Sequence, residues 1–292
     1  MDSIILKNDK GFPPLLREIN DPPEKLFVRG NIDKLLDENM KILCVVGARK
    51  YSSYGKDVIE RLINGLRGYN ICIVSGLALG IDGIAHRSAL QNGLYTVSFP
   101  GSGLDPSVLY PRSNIGLADE IVNSGGALLS ELEPKMMSAH WTFPRRNRLM
   151  AGIAHATIVV EAKLKSGTLI TSKYATDYNR DVGAVLGSIL SPLSEGPHML
   201  IRLGATPITC SDDILELLGF TKNVNVKKIE DKNYDSLGKD EKKIMDILTL
   251  EPKDKDFFVH ELHLDTRHVN TLISSLEIEG YVKEEMGMVR VV

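Results

Sequence analysis

Three segments of this sequence place glycine beside a cation or a hydroxyl where an apolar run ends: Gly47-Ala48-Arg49, Ser75-Gly76-Leu77-Ala78-Leu79-Gly80-Ile81-Asp82, and Pro100-Gly101-Ser102-Gly103-Leu104-Asp105. Glycine-bearing turns that open a helix can present backbone N–H groups and the positive end of the helix, so the chemistry they suggest is anion binding. One such turn can simply be a tight strand-to-helix connection, but three together favour a phosphate-binding rim. Further cations stand close by in sequence: Arg112 after Tyr110-Pro111, Arg145, Arg146 and Arg148 around Asn147, and Lys165 and Lys173 on either side of Ser166-Gly167-Thr168. Arg49 and Arg112 fit phosphate contacts best. The arginines at 145, 146 and 148 fit equally a structural fork to carboxylates such as Glu131 or Glu161, and Lys163 fits ordinary solvated surface.

Enzymatic motifs are missing. Gly47 and Gly55-Lys56 have the wrong separation for a phosphate loop of the Walker type, and Asp57 follows where a hydroxyl is needed. Pro106 replaces the third glycine of a dinucleotide fingerprint after Gly101 and Gly103. Asp82 and His86 share a helix face, but no second cluster joins them as metal ligands or an acid–base pair, so Asp82 is expected to brace its loop and His86 to hydrogen-bond within the fold. No metal or cofactor is expected.

The elements that must position these residues follow from periodicity. Short β-branched runs alternate with helical patterns between residues 42 and 218, the pattern of βαβ units and of a Rossmann-like, doubly wound α/β fold with a mainly parallel sheet. Strands are expected at 42–46, 71–75, 95–99, 127–130, 157–161, 182–186 and 206–209, and helices at 55–66, 81–90 and 168–178. In such sheets ligands bind at the carboxyl ends of the strands, where the glycine turns fall. Residues 1–40 read as an N-terminal arm too proline-rich for regular elements apart from an edge strand at 26–28, residues 41–220 as the Rossmann-like domain, 221–236 as a polar linker, and 237–292 as a second module. That module reads as helices at 239–250, 259–264 and 267–279 followed by a hairpin, the order of a winged helix.

The 292 residues are 43% hydrophobic and 25% charged, with a net charge of −3, which suits a globular chain and confines any nucleic-acid site to a local patch. No apolar run approaches membrane-spanning length, and the first residues lack a secretory pattern, so a cytoplasmic location is expected. Cys44, Cys72 and Cys210 have neither metal-site nor disulfide spacing and are expected to be buried thiols.

In order along the chain, Val46-Gly47-Ala48-Arg49 with Tyr54-Gly55, the Ser75–Asp82 segment with Ala85-His86, Gly101–Asp105 with Tyr110-Pro111, Phe143-Pro144-Arg145-Arg146-Asn147-Arg148, Val160-Glu161-Ala162 with Ser166–Thr171, and Gly204-Ala205 resemble the DNA-processing protein A (DprA/Smf) family. The resemblance spans roughly residues 11–220. It implies a non-catalytic, sequence-independent binder of single-stranded DNA, usually a homodimer, that protects incoming DNA and helps load the RecA recombinase during natural transformation and recombination. It also assigns DNA contact to Arg49 and Arg112. Gly47, Ser75, Gly76, Gly101 and Ser102 are expected to hold phosphates beside them, with Ser166, Gly167 and Thr168 extending the track. His198 departs from the asparagine of many relatives, and Leu186-Gly187 lacks a usual proline. The alternative is a nucleotide-binding or nucleotide-hydrolysing enzyme, since nucleotide phosphoribohydrolases resemble this core; their Pro-Gly-Gly-x-Gly-Thr loop and catalytic glutamate are not found here.

The second module carries 8 Lys plus Arg against 12 Asp plus Glu, a net of −4. Duplex binders normally present a basic face, so a protein-contact or auxiliary role is expected of it.

Overall fold

The structure, a computed structural model, describes residues 2–220, 237–250, 252–285 and 287–291. It contains two compact units, each described by itself below; the expected linker at 221–236 lies outside the described residues.

The first unit is built on a nine-stranded sheet in the order β1-β2-β6-β5-β4-β3-β7-β8-β9. Its parallel part comprises β3 (Lys41–Val46), β4 (Ile71–Ser75), β5 (Tyr95–Ser98), β6 (Ala127–Ser130), β7 (Ala156–Val159), β8 (Asp181–Val185) and β9 (Thr206–Ile208). From β3 the chain winds outward through β4, β5 and β6, then returns to the other side of β3 for β7, β8 and β9. The point where the order reverses, between β3 and β7, is where a doubly wound sheet opens a crevice.

Alternation along β3 shows why both faces must be covered. Ile42, Cys44 and Val46 point into one apolar cluster with Phe12, Leu16, Leu149 and Ile153, whereas Leu43 and Val45 point into another with Ile59, Ile63, Ile81 and Ile214. The first cluster is closed by α1 (Pro14–Arg17) and α5 (Thr142–Ile153), the second by α2 (Ser53–Asn64), α3 (Ile81–Gln91) and α8 (Ser211–Leu217). Helix α4 (Ile115–Asn123) covers Phe27 and Leu128 farther along the sheet.

The N-terminal residues differ from the irregular arm read in the sequence. β1 (Asp2–Leu6) and β2 (Lys25–Gly30) join the sheet as an antiparallel pair, and β2 docks antiparallel on β6 with Phe27 opposite Ser130. Residues 26–28 are therefore interior to the sheet, and the edge belongs to β1. The proline-rich stretch also makes one helical turn, α1, with a proline in its first turn, where the missing N–H costs no hydrogen bond. Cys44 and Cys72 are buried as expected, but Cys210 is exposed at the cap of α8.

The second unit contains α9 (Lys239–Leu250), α10 (Lys255–Leu262), α11 (Thr266–Ile278) and an antiparallel hairpin of β10 (Val282–Glu285) and β11 (Met288–Val291), around Phe258, Val269, Ile273, Leu276 and Val289. Helix α10 begins four residues earlier than expected because Asp254 caps it through the Phe257 N–H at 2.7 Å, and it ends at His263 in the left-handed conformation.

Candidate nucleic-acid interface

Helix α5 gathers the strand ends. The Thr142 hydroxyl donates to the Gly101 carbonyl at 2.6 Å, the Arg146 guanidinium to the carbonyls of Gly76 and Phe99, and the Asn147 amide to Gly167 at 3.3 Å. Thr168, opening α6 (Thr168–Asp177), donates to the Gly47 carbonyl at 3.1 Å. The loops after β3, β4, β5 and β7 are thereby fastened to one another at the switch point.

This arrangement gives the glycines a packing role. A Cβ on Gly76 would lie 2.0 Å from Arg146 Nη1, one on Gly101 2.5 Å from the Phe143 ring, and one on Gly47 2.6 Å from Ile81. They are small because side chains pack against them. In the β4–α3 loop the Gly76 N–H donates to Asp82 Oδ2 at 3.2 Å, so an internal carboxylate already holds the place expected for an anion. Burial pushes the Asp82 carboxyl above its ordinary range, opposed by Arg146 and by the N–H groups of Gly76 and Ala78. Leu77, fully buried, takes φ +58°, and Asn114 receives this left-handed turn by donating to the carbonyls of Leu77 and Ala78 at 2.9 and 3.1 Å. His86 hydrogen-bonds Thr96 at 2.7 Å, and burial holds its imidazole down to about 3, so it is neutral.

Ser75 and Ser102, expected along the phosphate track, have no exposed surface; their hydroxyls donate to Val45 and Gly103. They support the loops. Arg146, Asn147 and Arg148 are buried as well. Arg148 pairs with Glu131 and Asp21, and Arg145 pairs with Glu131 at 2.8 Å, the carboxylate partner the sequence offered for both. Glu161 does something else: it accepts from the N–H and hydroxyl of Ser52, and so holds the loop that carries Arg49.

The exposed members are Arg49, Arg112, Arg145, Lys165, Gly167 and Lys173, with Ser166 and Thr168 half-buried. Arg49 lies over the Phe143 ring at 5.2 Å, and Phe143 meets Tyr110 edge to face at 6.0 Å. With Gly76, Ala78, Leu79 and Pro111 these three line a cleft at the strand ends, and Arg112 follows Pro111 directly. Sequence reading overlooked the aromatic side chains, although Tyr110-Pro111-Arg112 and Trp141-Thr142-Phe143-Pro144-Arg145 interleave aromatics with cations, which is the signal that finds such a surface. The two departures from the family pattern meet: His198 Nε2 lies 3.1 Å from the Gly187 carbonyl.

A doubly wound sheet with a cleft of arginine and aromatic side chains at the carboxyl ends of β3, β4 and β5 defines the class: a Rossmann-like α/β protein. A family model described as DNA recombination-mediator protein A matches residues 3–219, and the chain belongs to this DprA/Smf family. It is 45% identical over 207 residues to DNA processing protein DprA of Streptococcus pneumoniae, covering 71% of each chain, and 39% identical over 211 residues to that of Bacillus subtilis, covering 72% of this chain and 69% of the relative. Among solved structures, that of the S. pneumoniae protein aligns with a TM-score of 0.69 at 42% identity over 73% of each chain. A structure concerned with the single-stranded-DNA binding mode of DNA processing protein A from Helicobacter pylori aligns with a TM-score of 0.66 at 28% identity, over 75% of this chain and 95% of that one. Among the described residues no helix is long and apolar enough to cross a membrane.

Proposed function

We propose that this chain binds single-stranded DNA without sequence preference at the cleft of Arg49, Tyr110 and Phe143, with Arg112, Lys165, Ser166, Gly167, Thr168 and Lys173 extending the phosphate track. The observation that carries this is the Arg49–Phe143 pair beside the exposed Tyr110: a cation for a phosphate and, next to it, ring surface for an unstacked base, which a duplex with its bases stacked inside would leave unused. The binding mode named for the H. pylori relative supports the same ligand class. In this reading Ser75, Ser102, Gly47, Gly76, Gly101, Arg146, Asn147 and Arg148 shape the cleft without touching DNA.

The role is non-catalytic: the chain shields incoming strands in the cytoplasm, acts as a homodimer, and passes them to the RecA recombinase during transformation and recombination. Family membership supports this. The alternative reading, a nucleotide-binding or nucleotide-hydrolysing enzyme, finds less support, because no residue lining the cleft is a carboxylate or histidine and Asp82 is turned inward to Gly76. The second unit, read as a winged helix with an acidic balance, serves protein contact.

Titration of a fluorescent oligo-dT and a matched duplex across a salt series tests this, with the wild type beside Arg49→Ala/Arg112→Ala. Salt-sensitive preference for the single strand, lost in the double variant, is the expected result; binding unchanged by the substitutions would move the site elsewhere.

A further inference from the structure

Arg49 over Phe143 is one of two arginine–aromatic pairs at the start of α5. The other is Arg145 over Trp141, with the guanidinium carbon 6.0 Å from the ring centroid. Trp141 is 49% exposed, unusual for so large a ring on a folded surface. Arg145 reaches Glu131 with Nε at 2.8 Å and Nη2 at 3.3 Å while 51% of its own side chain stays in solvent.

Glu131 does not depend on it. The carboxylate is 6% exposed and is held a second time by Arg148, itself 8% exposed and anchored to Asp21 at 3.2 Å. Arg148 keeps Glu131 paired if Arg145 leaves, so the exposed arginine is the exchangeable one of the two. Beside Glu131, Arg145 lines a wide groove with Pro22, Pro23, Lys25 and Tyr174, in which Arg148 holds the Glu131 and Asp21 carboxylates in ion pairs.

From these contacts we infer that Trp141 and Arg145 form a second nucleotide subsite, in which one base of a single strand stacks on the indole and Arg145 turns from Glu131 to the adjoining phosphate. The subsite rests on the single-strand reading of the Arg49–Phe143 cleft and continues it across the first turn of α5. An arginine that only locked the helix end would leave Trp141 uninvolved.

Trp141 is the only tryptophan of the chain, so its emission reports this subsite in the unaltered protein. The experiment follows Trp141 emission during titration with unlabelled oligo-dT, and binding separately by anisotropy of a labelled strand. The comparison ligand is an abasic strand with the same number of phosphates. Oligo-dT should quench Trp141 with the same saturation point as the anisotropy, and the abasic strand should bind with little quenching. Trp141→Ala should weaken oligo-dT binding about 5- to 150-fold, the range for loss of one stacked base, with Trp141→Phe recovering most of it. Arg145→Ala should make the slope of log affinity against log salt less negative by about 0.7, one phosphate contact. Saturable anisotropy with unchanged Trp141 emission, or an Arg145→Ala slope equal to wild type, would overturn the subsite and leave the Arg49–Arg112 cleft standing. Failure of the wild type to bind oligo-dT at all would overturn both.

Discussion

Arg146 is the cation on which the cleft is built, and replacing it by methionine separates its structural role from DNA contact. The substitution keeps a long apolar stem but removes the donors to Gly76 and Phe99, and takes away the charge that opposes the upward push of burial on the Asp82 carboxyl. Breaking a buried charge pair from one side costs about 3–5 kcal/mol, and for a unit of this size each kcal/mol lowers the melting midpoint by about 2–4 °C. A loss of roughly 6–20 °C is expected, read by thermal unfolding through Trp141, which lies in the first unit. The loss should depend on pH. A carboxyl held above its ordinary 3.8 binds a proton more readily in the folded than in the unfolded chain, so the stability tied to it rises as pH falls through the window between the two values. Without Arg146 that window widens upward, so the deficit of Arg146→Met should shrink between pH 8 and pH 5, and Asp82→Asn added to Arg146→Met should restore part of it. A midpoint within about 2 °C of wild type, or a deficit identical at both pH values with no rescue by Asp82→Asn, would refute the view that Arg146 compensates a buried charge.

Other outcomes follow from the same contacts. Arg49→Ala/Arg112→Ala should fold like wild type while its salt slope for oligo-dT becomes less negative by about 1.4, two phosphate contacts; fluorescence anisotropy measures both affinity and slope. Gly101→Val should push the Phe143 ring aside, since even a Cβ there comes within 2.5 Å of it, and should weaken oligo-dT binding in the same assay with about 1–3 kcal/mol lost in denaturant unfolding. Glu161→Ala should release the Ser52 N–H and hydroxyl and loosen the Arg49 loop, costing about 1–3 kcal/mol and reducing affinity, whereas Glu161→Gln should recover part of both. A chain ending after Phe220 should retain single-strand binding, while residues 237–292 alone should bind duplex DNA weakly at physiological salt.

Periodicity found the parallel strands within a residue or two because most are short apolar runs covered on both faces, as the alternation of Leu43 and Cys44 illustrates. It missed β1, whose Ser3-Ile4-Ile5-Leu6 is no longer than many surface apolar runs and becomes a strand only through pairing with residues 25–29. It placed 26–28 at an edge because nothing local announces a partner a hundred positions away. At the site, residue type separated cations from apolar residues but could not separate Arg49 from Arg146: both follow motif glycines or prolines, and only the fold decides that one lies in solvent and the other beneath Gly76. The burial of the serines escaped it for the same reason. Ser75 and Ser102 have the right chemistry for phosphate, yet the close packing that requires glycine beside them also encloses their hydroxyls.

The antiparallel seam between β2 and β6 sets a schedule for the chain as it is made. Phe27 finds its partner Ser130 only after about a hundred further residues have been added. At about 5–20 residues per second, the apolar Leu26-Phe27-Val28 segment waits on the order of 5–20 s for β6 to emerge. During that interval β2 is an unpaired apolar edge, the kind of surface that other chains pair with. The first strands made thus join the sheet only after β3 to β6, and slower elongation between residues 30 and 130 should lower the yield of folded protein more than the same slowing farther along.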